Sequence, residues 1–274
     1  ASTPGWMANL LSNRGLVLLR NLKRPADALE IFSRAYSLAE AAGDPAEAAA
    51  SAIYQGEAAL ALGRTDEAVS AFGRALKRAA GGTLERAWEA HLGMARLFER
   101  TGQRREEVLA LETAAALIEG ERHNLALLMA PRRFLSDRLE VFSRLAAALA
   151  VSDDRGSILA ALRAIERARA RLTLAAWSRG GAVGGDEAGA RSIQRGASSA
   201  MAHDLSEAAA RWYRSESAPD LAAWEALVAR SPMSAPKEIP APGESEALVE
   251  YLVAGDRSRA YWITRQDAGW ADLP

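Results

Sequence analysis

Over the first 120 residues, apolar positions recur at the spacing of amphipathic helices rather than with the alternation of strands. Between Ser51 and Phe72, one run through Ala52, Ile53, Ala58, Ala59 and Leu60 is followed, after a polar break, by a second through Ala68, Val69, Ala71 and Phe72. The break, Gly63-Arg64-Thr65-Asp66, offers a C-terminal stop at Gly63 and an N-cap candidate at Thr65. Helix, turn, helix is therefore the predicted unit.

The unit repeats. Ala28, Phe32 and Ala35 return 40 residues later as Ala68, Phe72 and Ala75, and Leu111 with Ala114 continue the series 39 residues after Phe72 and Ala75. Upstream in each unit a glycine falls on the first helix, at Gly15, Gly56 and Gly93. A small residue lets paired helices approach, and an aromatic one turn further on fills the groove between them. Asp44-Pro45 and Gly81-Gly82-Thr83 close the second helices.

Helical periodicity continues from Asn124 to Ala150, broken at Pro131, and then from about 155 to 178 after the capping residues Ser152-Asp153-Asp154. On this last helix Arg163, Arg167 and Arg171 share one face while Ile165, Ala168 and Leu172 pack. The arginine row reads as a solvated face, or else as a docking surface for an acidic segment. Arg179 to Gly185 is a glycine-rich linker, residues 188–229 form one or two helices carrying Trp212, Tyr213 and Trp224 with a break at Pro219, and 231–242 is a proline-rich connector. The period then changes. Ala247–Ala254 and Arg259–Arg265 read as two strands joined at Gly255-Asp256-Arg257-Ser258, with Trp270–Leu273 able to begin a third. An isolated hairpin is marginal in water, so this one is expected to belong to a larger sheet.

Composition narrows the chemistry. Hydrophobic residues are 49% and the formal net charge is −1, which suits a globular chain with no global field for nucleic acid or anionic lipid. There is no cysteine, which removes disulfides, thiolate metal sites and a cysteine nucleophile from these 274 residues. No apolar run reaches the length of about 18 residues that a membrane helix needs. The start at Ala1 lacks an initiator Met and a signal-peptide layout, and the end at Pro274 falls within or just after strand-like sequence, so the chain reads as a piece of a longer protein. Arginine heavily outweighs lysine, found only as Lys23, Lys77 and Lys237, and alanine is abundant, a codon habit of GC-rich bacterial genomes.

The repeat spacing resembles the tetratricopeptide repeat (TPR) family over residues 7–120. It departs from that pattern where the first-helix Trp is Ala52, where Trp88 sits one place early, where Glu107 replaces a small residue, and where the closing Pro is missing. The whole order of helical repeats, a Glu-Arg-Ala-Arg-Ala-Arg helix, a broken helical linker, then Ala-Leu-Val-Glu-Tyr and Ala-Tyr-Trp-Ile-Thr-Arg, resembles bacterial TPR–CHAT proteins, whose C-terminal domain is a caspase-like peptidase. That resemblance implies a mainly α fold, a right-handed superhelix of antiparallel helix pairs, with a small C-terminal β-hairpin opening an α/β caspase-like domain. It also implies three regions: TPR-like repeats over 6–178, a linker over 179–243, and the first CHAT strands over 244–274. The peptidase His and Cys would follow residue 274 and map onto no position here. The implied chain is a cytoplasmic, non-catalytic arm that binds a protein partner and regulates the peptidase. A stand-alone TPR adaptor in signalling or transcription regulation is the alternative.

Counting from the first-helix glycines, the concave-face positions expected to bind a protein or peptide are Ile53, Glu57, Leu60 and Ala61 in the second unit and Ala90, Met94, Leu97 and Phe98 in the third. Ser12, Leu16, Leu19 and Arg20 are the counterparts in the first. The same side chains can instead pack between helices. His91 and His123 read as structural, and His203-Asp204, adjacent in sequence, point to different helix faces; a hydrolase built on His91 or His203 ranks last. No phosphate-cradling G-x-x-x-x-G-K-[ST] loop occurs, and Gly180-Gly181 with Gly184-Gly185 follow a helix rather than a strand. No cofactor, metal ligand set or nucleic-acid partner is expected.

Overall fold

A computed structural model of the chain describes residues 3–80, 86–121, 132–152, 154–177, 187–231, 242, 246–252 and 258–273. Helix α1 (Thr3–Leu16) runs into a π-helical turn, Val17–Asn21, and is followed by α2 (Pro25–Ala42), α3 (Pro45–Ala61), α4 (Thr65–Ala80), α5 (Ala87–Thr101) and α6 (Arg104–Glu121). Then come α7 (Arg132–Leu149), α8 (Arg155–Trp177), α9 (Glu187–Ser215), α10 (Ala218–Arg230) and the strands β1 (Ala247–Leu252), β2 (Arg259–Thr264) and β3 (Ala268–Asp272). The fold is mainly helical with a small C-terminal sheet, as the periodicity predicts. The linker around 179–185, most of the 231–242 connector, Gly81-Gly82-Thr83, His123 and Pro131 lie outside the described residues.

The turns between helices have a common chemistry. Gly43, Gly63 and Gly102 take the left-handed conformation at φ 64°, 73° and 73°, which glycine adopts without the steric cost of a Cβ. At Gly63 the carbonyls of the last α3 turn are satisfied by Gly63 N–H donating to Leu60 O (3.0 Å) and Arg64 N–H donating to Ala59 O (2.9 Å). Asp44 then caps α3 by accepting from Glu47 N–H at 3.0 Å, with Pro45 at the first helical position. Helix α4 starts at Thr65 itself, so its cap position falls on Arg64, not on Thr65 as expected.

Between the helices, glycine and phenylalanine interlock. A Cβ on Gly15 would meet the Phe32 ring at 2.4 Å, one on Gly56 would meet Phe72 at 2.4 Å, and one on Gly93 would meet the same Phe72 ring at 2.3 Å. Phe72 is thus held by a glycine of its own unit and a glycine of the next, and its 0% exposure shows how completely. In the third unit Leu111 takes the aromatic's place, also fully buried. Glu107, in the small-residue position of that unit, is buried and pairs with Arg104 at 3.0 Å, which offsets the cost of removing its carboxylate from water.

The chain forms two compact units. One comprises residues 1–117 with 201–229, and the other 118–200 with 230–274. In the second, α7 pairs with α8, and Arg167 is no part of a solvated face: its guanidinium meets buried Glu119 of α6 through two contacts of 3.2 Å and lies 5.9 Å from the Phe142 ring centroid. Arg163 and Glu166 on the same helix are exposed, and Ile165 and Ala168 are buried as expected. The sheet is antiparallel with order β1-β2-β3, so a complete third strand stands where only its beginning was expected. Tyr251 pairs with Ala260 and Trp262 with Gly269 on one face, while Tyr261 and Ile263 are buried on the other. Helix α8 packs on β2 and β3, and Arg155 donates to Thr264 O at 2.7 Å. Helices α9 and α10 part at Glu216, whose φ is 48°, rather than at Pro219, which sits in the first turn of α10 where a proline is well tolerated.

The interlock is open to a double-mutant cycle. Phe72→Ala is expected to cost about 3–5 kcal/mol and Gly93→Ala about 1–3 kcal/mol. The double variant should lose clearly less than the sum, because the new methyl enters space the ring has left. Urea denaturation checks this, and additive losses would show that ring and glycine do not meet.

Candidate interaction site

In the first unit, the π-turn, α3 and α5 frame an open cleft of about 280 Å³. Leu19 and Arg20 reach it from the π-turn and Lys23 from just beyond, Glu57, Leu60 and Ala61 from α3, and Gly93, Arg96 and Arg100 from α5. Two backbone irregularities build its first wall. The π-turn widens the end of α1, and Lys23 takes the left-handed conformation at φ 54°, which costs a non-glycine residue roughly 1–2 kcal/mol. Glu57 stands between two arginines, 3.4 Å from Arg20 and 3.4 Å from Arg96. Arg100 donates to the carbonyl of Leu60 and so helps cap α3, while Lys23 makes no ion pair among the described residues. The cleft therefore gathers four cations around one carboxylate.

Most of the residues expected to line a peptide groove lie elsewhere. Ile53, Met94, Leu97 and Phe98 are buried at 1%, 1%, 3% and 4% exposure, and Ala90 is fully buried. Of the six principal candidates only Glu57 and Leu60 face the cleft. Leu19, Arg20 and Ala61 are there too, whereas Ser12 is buried and bonds Glu47 and Ser51. In the third repeat the reason is intramolecular. The C-terminal half of α9 and all but the end of α10 belong to the same unit, and the Phe98 ring lies 5.6 Å from Trp212 and 6.0 Å from Tyr213. Trp212 and Tyr213 in turn pack on fully buried Trp224.

Polar contacts fix this helical cover in register. His91 is buried with Nδ1 3.0 Å from the Tyr213 hydroxyl and Nε2 3.0 Å from the Ser206 hydroxyl, and Trp224 Nε1–H donates to Thr113 Oγ1 at 2.9 Å. At the surface Arg105 pairs with Glu225. Burial pushes His91 down to about 3, so the ring is neutral and can donate from one nitrogen and accept at the other. His203 pairs at 3.2 Å with Glu207 on its own helix, not with Asp204. Among the described residues no group of three His, Asp or Glu side chains is placed to hold a metal ion, and no helix is long and apolar enough to cross a membrane.

Residues 6–81 match the profile of the tetratricopeptide repeat family. Over this stretch the chain is similar to tetratricopeptide repeats. The match takes in α1 to α4, and α5 with α6 extends the same packing through Gly93 on Phe72. Among solved structures the chain is similar to the nearly identical TPR-like repeats of a Podosopora anserina protein described as a kinesin light chain, at 16% identity and a TM-score of 0.45, over 84% of this chain and 96% of that one. A single-substitution variant of that structure is similar to the same extent. No protein of curated function matches the sequence.

Tetratricopeptide repeats are protein–protein interaction modules, and this array divides its candidate surfaces in two: an apolar one already covered by α9 and α10, and an open, cationic one. Lys23, Arg96 and Arg100 escaped the sequence count because they fall outside the offsets counted from each first-helix glycine. The i, i+4 pair Arg96 and Arg100, on the same helix as Gly93, was the available signal.

The neutral His91 ties the cover's stability to pH. Below about 6.5 the unfolded chain protonates this histidine while the folded one does not, so stability falls with decreasing pH until the folded value of about 3 is reached. Against the wild type, His91→Gln should show a shallower loss of stability between pH 6.5 and 4, by up to about 1.4 kcal/mol per pH unit. Urea titrations at three pH values test this, and parallel pH profiles would show His91 to be solvated.

Proposed function

We propose that the tetratricopeptide repeats form the partner-sensing region of a bacterial, cytoplasmic caspase-like (CHAT) cysteine peptidase, and that partner binding on the repeats controls a peptidase domain that begins with β1. The observation that carries this reading is the presence, in one chain with the repeats, of a three-stranded antiparallel sheet that leaves Val249 and Tyr251 exposed at 40% and 61%. A sheet this small gains stability by adding strands or by covering its free face, and further strands of an α/β domain would do both. The sequence order from repeats through an arginine-rich helix to Ala-Leu-Val-Glu-Tyr supports the same assignment.

In this reading 6–178 are the repeat region, 179–243 the connection and 244–274 the opening of the peptidase. These 274 residues contain no cysteine, so the nucleophile would be supplied by sequence after Pro274. Their own contribution would be recognition: a partner engages the helices, and the sheet reports the change to the active site. A stand-alone adaptor would use the same helices with β1–β3 as an accessory element.

The codons that follow Pro274 decide between the two. A sheet-forming continuation with a His-Gly and then a Cys at strand ends is expected, and Cys→Ala in that product should abolish peptide hydrolysis. A stop codon, or an unrelated domain, would refute the peptidase assignment and leave the adaptor.

A further inference from the structure

We infer that α1 is the seam of a homodimer: the exposed strip Trp6, Met7, Leu10 and Val17 packs antiparallel on the same strip of a second copy of this chain, with Leu10 on the two-fold axis and the Trp6 ring over the partner's Arg14. Dimerisation through α1 asks nothing of the partner-sensing or peptidase roles proposed above, so either can fail alone.

Exposure sets this helix apart. Trp6, Met7, Leu10 and Val17 are 59%, 39%, 47% and 51% exposed. Single exposed apolar side chains are ordinary, but four that share one helix face make a continuous patch of the kind that marks an association surface. The segment Thr3–Leu16 contains no Asp or Glu, and Arg14 is its one basic residue. Arrays of stacked helices stay in solution where their outermost face is polar, and α1 offers the opposite.

Aligning Gly15 with Gly56 places Trp6, Met7, Leu10 and Val17 at the positions of Glu47, Ala48, Ser51 and Ala58 on α3. On α3 these residues meet the preceding repeat. Glu47 accepts from Ser12 Oγ at 2.6 Å, Ser51 Oγ lies 3.1 Å from that hydroxyl, Ala48 packs with Ala8 and Ala39, and Ala58 packs with Phe32 and Ala28. The strip on α1 is therefore a stacking face, one repeat earlier, left uncovered among the described residues. Its side chains are the wrong size for another repeat in the same register: α3 reaches its close approach mostly with alanine and serine, where α1 has tryptophan, methionine, leucine and valine. Bulky apolar side chains interdigitate across a helix pair whose axes stand about 8–10 Å apart, and a second α1 provides that pair.

A two-fold axis through Leu10 makes the strip complementary to itself. Antiparallel pairing about that point sets Leu10 beside the partner's Leu10, and Trp6 beside the partner's Arg14, each about 6 Å along the helix from the axis. The strip's one charge then falls on the face of an indole, the most favourable aromatic partner for a guanidinium. Arg14 is exposed, so its guanidinium is within reach of a ring from outside. A single cation on the helix gives neither an acidic peptide nor a nucleic acid much to hold. With one helix contributed by each copy the seam is at the small end of protein contacts, so the dimer is expected to be weak and reversible.

The test is sedimentation velocity of the complete 274-residue chain from about 1 to about 100 µM, over which the mass should rise from 29.2 kDa toward twice that value. Leu10→Glu sets two carboxylates against each other on the axis and should hold the chain monomeric throughout. Its melting temperature should not change, because Leu10 is exposed in the single copy. Arg14→Gln should weaken dimerisation roughly five- to thirtyfold, since the axis makes the ring–cation contact twice. The chain has no cysteine, so single introduced cysteines report the register. Under mild oxidation Leu10→Cys should give a covalent dimer, because residues that face each other across the axis are within disulfide reach. Val151→Cys, exposed at 64% on the other compact unit, should not. A monomer at every concentration would leave the strip to another segment or protein and overturn the inference, as would a dimer indifferent to Leu10→Glu or Arg14→Gln, or equal cross-linking of the two cysteine variants.

Discussion

The architecture rests on a benzene ring placed where a Cβ would have been. Phe72 lies 2.4 Å from the Cβ position of Gly56 and 2.3 Å from that of Gly93, so one side chain fixes both the pairing of helices inside a repeat and the stacking of one repeat on the next. Interiors this dense transmit any mismatch to their neighbours. The spacing of the glycines therefore governs where every first helix lies, including the α3 and α5 walls of the cationic cleft. Phe32 on Gly15 makes the corresponding contact in the first repeat, and there the helix ends in the π-turn that bears Arg20.

Given that frame, the array treats its surfaces in opposite ways. The third repeat's apolar face is sealed by α9 and α10 through an aromatic cluster whose polar atoms are matched: His91 to two hydroxyls, Trp224 to Thr113. Unmatched, such groups would cost several times what a matched bond contributes, so they reject shifted packings of the cover more strongly than hydrophobic burial alone does. The cleft on the earlier repeats keeps its charged groups in reach of solvent.

Sequence reading went furthest where a single period governed. Gly15, Gly56 and Gly93 against Phe32 and Phe72 announced both the helix pairs and their contact, and the change of period at Ala247 announced the strands. The site was less legible. Counting from the first-helix glycines selected Met94, Leu97 and Phe98, which the fold needs inside, because a face covered by distant α9 has the same local pattern as a face left open for a ligand. Arg167 failed for the same reason, since a row of arginines at helical spacing does not reveal that Glu119 waits on α6. The break at Glu216 rather than Pro219 reflects proline's tolerance in a first helical turn, a positional fact that composition cannot convey. Lys23 was beyond reach because a left-handed lysine carries no sequence mark.

Helix α3 sits at the middle of this frame, packed against both α2 and α4, and it is built almost wholly of residues small enough to be enclosed. Ala48, Ala49, Ala50, Ala52, Ala58 and Ala59 are all buried, together with Ser51, Gln55 and Gly56. With its central turns enclosed except along the strip where Tyr54 and Glu57 are half-buried, this helix cannot readily open its hydrogen bonds to water while its neighbours stay in place. The amides of its central turns then exchange with solvent only through the largest opening the unit undergoes, so α3 serves as the kinetic lock of the array, the last element to loosen when the repeats come apart.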